Sequence, residues 1–119
     1  MTTAVKRKLS GSTDGMPILV VQTATPGTTI HTAVAGTTDG TYDETWLWAY
    51  NGHTADVVLT LEYGGATVPD QNLVATIPFK SGLIPLTPGP ILQNGLVIKA
   101  FASVANVVTI WGFVNRMTD

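Results

Sequence analysis

Asp43-Glu44-Thr45-Trp46-Leu47-Trp48-Ala49-Tyr50, followed directly by Asn51-Gly52, decides the fold class. Trp46, Trp48 and Tyr50 recur at period two, with Leu47 and Ala49 between them, which is the alternation of a β-strand. Asn-Gly favours a type I′ turn, because both central residues tolerate positive φ. The reading is therefore a hairpin, with residues 55–63 pairing back on 43–50. In that second run Val57, Leu59, Leu61 and Tyr63 share one face.

The same punctuation extends in both directions. Met16 to Thr23 and Thr28 to Val34 read as strands before it. Leu73 to Phe79, Leu96 to Ala102 and Asn106 to Asn115 read as strands after it. Leu83 to Leu92 carries Pro85, Pro88 and Pro90, which cannot donate to a ladder, so it is expected as an edge segment or a long loop. Asn94-Gly95 marks a second tight turn. In the last strand Val108, Ile110, Gly112 and Val114 oppose Val107, Thr109, Trp111 and Phe113, so both faces are expected to be covered. No stretch has the period of an amphipathic helix. Seven or eight short strands with turns between them predict a single small antiparallel β-sandwich, jelly-roll-like, over residues 16–119.

Residues 1–15 read differently. They lack apolar periodicity and end in a Ser/Gly/Thr/Asp run, as expected of an extended N-terminal arm. The arm holds Lys6, Arg7 and Lys8. Beyond it only Lys80, Lys99 and Arg116 are basic against all eight acids, a balance of about −5. The arm is too weakly charged, and the body too acidic, for a nucleic acid partner; an acidic protein surface suits it better.

In the 119-residue chain, apolar residues make up 45% and charged residues 12%. So little charge suits a chain that covers its apolar surface by assembly. There is no cysteine, so neither disulfides nor thiolate metal sites are available. No apolar run approaches the roughly 20 residues that span a bilayer, and no apolar stretch follows the basic residues as in a secretory leader.

Catalytic motifs are absent: there is no Gly-x-Ser-x-Gly elbow, no His-Glu-x-x-His pair and no P-loop lysine after Gly64-Gly65. His31 reads as a hydrogen-bonded strand residue and His53 as an exposed turn residue. Asp39, Asp43 and Glu44 lie close in sequence but match no calcium loop and read as solvated acids. No catalytic residue, cofactor or metal ligand is assigned. The aromatic row Trp46, Trp48 and Tyr50, with Trp111 and Phe113, is placed as core or subunit interface in preference to a sugar-stacking platform.

Four stretches also carry a resemblance: Leu9 to Val21, Thr28-Thr-Ile-His-Thr-Ala-Val-Ala-Gly-Thr-Thr, Thr45-Trp-Leu-Trp-Ala-Tyr-Asn, and the closing Gly112-Phe-Val-Asn-Arg-Met-Thr. Together they resemble small virion structural proteins of tailed bacteriophages, most closely the capsid decoration (cement) type. The resemblance implies a non-enzymatic homotrimer on the outer surface of the virion. Its partner would be the phage major capsid protein, met by Lys6, Arg7 and Lys8. The alternatives are another virion component (tail, head–tail joining or fibre protein) and a carbohydrate-binding β-sandwich module.

Overall fold

The computed structural model describes residues 2–119, so Met1 of the expected arm lies outside the described residues. Nine strands and no helix make up the described chain: β1 (Thr3–Lys8), β2 (Ile18–Leu19), β3 (Thr28–Thr32), β4 (Tyr42–Asn51), β5 (Val57–Tyr63), β6 (Asn72–Ile77), β7 (Ile84–Leu92), β8 (Val97–Ala102) and β9 (Val108–Thr118). They form two antiparallel sheets. One runs β1-β9-β4-β7, with β2 beside β9, and the other runs β3-β8-β5-β6.

The pairing is nested. β5 pairs with β6, β4 with β7, β3 with β8, and β1 and β2 with β9. The chain thus behaves as one long antiparallel hairpin with its bend between β5 and β6. Rolled up, the hairpin gains the ladders β4–β9 and β5–β8 and becomes a jelly roll. The core lies between the sheets. Leu47, Ala49, Val108, Ile110 and Val114 come from one sheet, and Ile30, Leu59, Leu61, Ile98 and Ala100 from the other. Burying each large aliphatic side chain contributes about 1.5–3 kcal/mol.

The sandwich and its strands follow the sequence reading, but three local expectations change. First, Asn51-Gly52 is not a hairpin turn. β4 and β5 lie in different sheets, and Gly52 donates its amide to Val107 O at 2.9 Å. The Asn51 side chain is buried and occupied, donating to Ala55 O at 3.0 Å and Ile77 O at 2.9 Å, so the residue ties a sheet-to-sheet corner. Asn94-Gly95 does form a tight turn, with φ of 65° and 66°.

Second, the extended N-terminal arm is itself a strand of a sheet. Thr3–Lys8 pairs with Phe113–Thr118 of β9, and β2 takes up the same side of β9 at Ile110 and Thr109. The boundary at residue 15 also moves. Leu9 is a core residue, and the amide of Gly11 bonds Ile30 O at 2.9 Å. All six residues of β1 are nevertheless exposed. Deleting residues 2–7 should therefore leave a cooperative fold with little change in urea midpoint, because no buried side chain is lost. A non-cooperative transition in the truncated chain would show that β1 is needed for folding.

Third, β4 turns its other face inward. Its buried residues are Asp43, Thr45, Leu47, Ala49 and Asn51, while Trp46, Trp48 and Tyr50 are half-buried on the outer face. The aromatic row is therefore not core. Leu47 and Ala49 alternate with it and fill the interior, and the polar neighbours on their face find partners there. The proline-rich stretch is the sheet-edge strand β7, as prolines require. Where its ladder to β4 slips, Leu47 donates its amide to Thr87 Oγ1 at 3.0 Å.

Candidate functional site

Three features stand out: a buried ionic cluster, an outward aromatic rib and a basic edge. The cluster forms where β3, β4 and β9 meet. Asp43 is fully buried and accepts four hydrogen bonds. Arg116 grips it as a fork, Nε to Oδ1 at 2.8 Å and Nη2 to Oδ2 at 2.9 Å. The amide of Val34 donates to Oδ2 at 3.1 Å, and His31 Nε2 lies 2.6 Å from the same oxygen. The amide of Ser10 donates to His31 Nδ1 at 3.0 Å, which places the ring proton on Nε2, facing Asp43. Burial pushes the Asp43 carboxyl upward. The hydrogen bonds from Arg116 and His31, with the Arg116 charge, outweigh this and hold it below the usual aspartate range.

The order Asp43–His31–Ser10 superficially matches a hydrolytic triad, but the chemistry differs. The lone pair of His31 that would accept a hydroxyl proton is taken by a main-chain amide. Ser10 Oγ instead accepts from the Thr32 amide at 2.7 Å. The cluster pins the segment after β1 to the body. His53 lies past the far end of β4, about 27 Å along the strand from Asp43, so the two histidines do not share a site. Asp43 and Glu44 point to opposite faces. Among the described residues no group of three His, Cys, Asp or Glu is placed to hold a metal ion.

Glu62 is the other buried acid. Both its oxygens clamp one loop, accepting from Thr25 Oγ1 at 2.5 Å and the Gly27 amide at 2.6 Å. The cleft beside it, about 260 Å³ between Gly64-Gly65 and Lys99, offers no unpaired carboxylate oxygen.

The outer face of the five-stranded sheet gathers all three tryptophans. Trp46 opposes Phe113 and Trp48 opposes Trp111 across β4–β9. The Trp46 and Phe113 rings stack at 6.5 Å and 16°, and Trp48 meets Phe113 at 6.1 Å and 31°. Lys6 Nζ sits 4.2 Å from the Phe113 centroid. On the other side Trp46 lies against Gly89, where an added Cβ would stand 3.0 Å from its ring. A rib Lys6–Phe113–Trp46–Gly89 thus crosses four strands. Glu44 locks it, accepting from Trp46 Nε1 at 2.6 Å and Asn115 Nδ2 at 3.0 Å. Those bonds, Trp46's first, hold the Glu44 carboxyl below its ordinary range. Trp111 is the most open of the rings, at 39% exposure.

The basic edge is β1. Lys6 and Lys8 take the outer face and Arg7 the inner face, by their register with Asn115, Phe113 and Val114. A groove of about 460 Å³ opens beside β1, with Ser10, His31 and Arg116 among its other walls. The sequence reading singled out the three basic residues but took Asp43 for a solvated acid, whereas it is fully buried; its partner Arg116 lies 73 positions away, with no local signal of pairing. No family model, curated protein or solved structure matches the chain.

Proposed function

We propose that this chain is a non-enzymatic phage virion protein that binds the outer capsid surface and stabilises the head. The observation that carries the reading is how much adhesive surface a small, sparsely charged sandwich leaves outside its core. The rib and Trp111 occupy one sheet face. Val58, Leu73 and Val74 are exposed on the other sheet, and the chain as a whole carries only 12% charged residues. The resemblance of four stretches to decoration proteins supplies the particle. Self-association as a trimer would bury part of this surface, and three footholds per trimer multiply weak contacts into a durable attachment.

Purified protein added to undecorated heads should bind saturably and raise their resistance to heat. Neutralising Lys6, Arg7 and Lys8 together should flatten the dependence of attachment on salt. Absence of saturable binding rejects the reading. Particle imaging that places the chain on the tail or the joining complex moves it to another virion role. The outward tryptophans favour a second reading, a carbohydrate-binding module. Stacking on sugars needs free ring faces, however, and Trp46 and Phe113 are largely taken up by each other, Lys6 and Gly89. Glycan binding abolished by Trp111→Ala in a folded protein would reinstate it.

A further inference from the structure

β1 overhangs the sandwich. In the stretch of β9 that it pairs with, Val114 alone is buried, and every residue of β1 is exposed on both faces. It is also a sheet end: β9 lies on one side, and no main-chain bond among the described residues meets the other. The end strand of the second sheet, β3, is closed by contrast. Gly11 occupies Ile30 O, and Ser10 Oγ occupies the Thr32 amide. Where β1 and β3 end the two sheets, the free edge among the described residues is therefore that of β1, with the groove beside it.

That side is cationic. Among the described residues Arg7 and Lys8 have no acidic partner, and Lys6 faces a ring. Arg116 spends Nε and Nη2 on Asp43, with Nη1 left over. On the inner face Arg7 and Arg116 sit on neighbouring strands, two residues apart in register, opposite Val114 and Val5. Two kinds of group thus wait for a partner: a row of alternating N–H and C=O along the strand, and a set of unpaired cations on both its faces.

We propose that this open side takes an extended acidic peptide segment. The segment adds to β1 as a further strand and places carboxylates against Lys6 and Lys8 on one face and Arg7 on the other. A peptide satisfies both demands, because its backbone supplies donors and acceptors while its side chains supply charge. A phosphate polymer supplies acceptors only, so the free carbonyls of β1 would stay without donors. A second copy joining through its own β1 would set three cations against three. The inference goes beyond the head-binding reading and does not rest on it, since any chain of this chemistry fits.

The test uses a fluorescent peptide as long as β1, with three consecutive Glu flanked by Thr so that carboxylates reach both faces, titrated with the full chain and followed by anisotropy. Binding should saturate, weaken steeply with added salt, and fall at least about tenfold when Glu is replaced by Gln, a loss of about 1.4 kcal/mol. A peptide with alternate amides N-methylated, which keeps its charge but not its donors, should lose as much. The variant K6Q/R7Q/K8Q should lose binding while keeping its urea midpoint, since these side chains are exposed. The proposal is overturned by unsaturable binding, by equal affinity for the N-methylated peptide, or by affinity indifferent to salt. Polyphosphate outcompeting the peptide, or β1-dependent dimers that exclude it, would also overturn it. The salt and N-methyl arms need only the natural chain, so they decide the matter even if the triple variant does not fold.

Discussion

Asp43→Ala should destabilise the fold by about 3–5 kcal/mol, read as a drop in urea midpoint at unchanged slope. That is a large part of the roughly 5–15 kcal/mol that holds a domain together. The substitution strips Arg116 and His31 of their shared acceptor and leaves the Val34 amide without one. His31 is buried, so its Nε2 proton has no water to turn to. Asp43→Asn keeps the volume and one acceptor oxygen and should fall between the two. A cost below about 1 kcal/mol would mean that Arg116, whose side chain is 23% exposed, swings out and recovers water as a surface pair does.

The effect should depend on pH with a definite sign. The Asp43 carboxyl titrates lower in the folded chain than in the unfolded one. Its contribution is thus complete above the unfolded aspartate value of about 3.9 and drains away as the pH falls through the lower folded value. The gap between the natural chain and Asp43→Ala should be widest near neutrality and close in strong acid. A gap that stays constant down to the acid transition would show that the cluster works by packing rather than by charge.

Gly112→Ala should cost about 3 kcal/mol or more, for two reasons that act together. Gly112 has φ of 152°, which side chains rarely adopt. It also sits directly opposite Leu47 at the centre of the β4–β9 ladder. A Cβ there would run into the backbone oxygen of Trp46 and stand 3.1 Å from Leu47 Cα, and backbone in a central strand cannot step aside. Gly15→Ala is the control. Its φ is 84°, but nothing lies within 4 Å of its added Cβ, so only the conformational cost of about 1 kcal/mol remains. Equal losses at the two sites would remove the close approach as a cause.

Much of the architecture was legible in the chain. Period-two runs separated by glycine and proline are a local property, and they located β3 to β6, β8 and β9 within a few residues. Proline's missing donor marked residues 83–92 as an edge segment or a long loop, and the fold makes them the edge strand β7. The basic triplet was visible as composition. β1 was missed as a strand because Thr3–Lys8 has no apolar face, and what holds it is the ladder to β9, not burial. The Asn51-Gly52 turn was misread because turn chemistry describes the local bend. Which strands then pair is set by the whole nested hairpin.

The orientation of β4 marks the limit most clearly. Alternation separates Trp46, Trp48 and Tyr50 from Leu47 and Ala49, but it does not say which set faces in. Hydrophobic ranking favours the aromatic set, because the other also holds Asp43, Thr45 and Asn51, and an unpartnered polar group is costly to bury. The fold buries that polar set because distant residues satisfy it. Arg116 and His31 serve Asp43, Tyr63 and Pro90 meet Thr45, and Ala55 and Ile77 accept from Asn51. Sequence alone determined most strands of the body, their breaks and their two-faced pattern, because these arise between neighbours along the chain. Only the tertiary structure decided which face is core, which is contact surface and where the open edge lies, because the cost of burying a polar group depends on partners that folding brings to it.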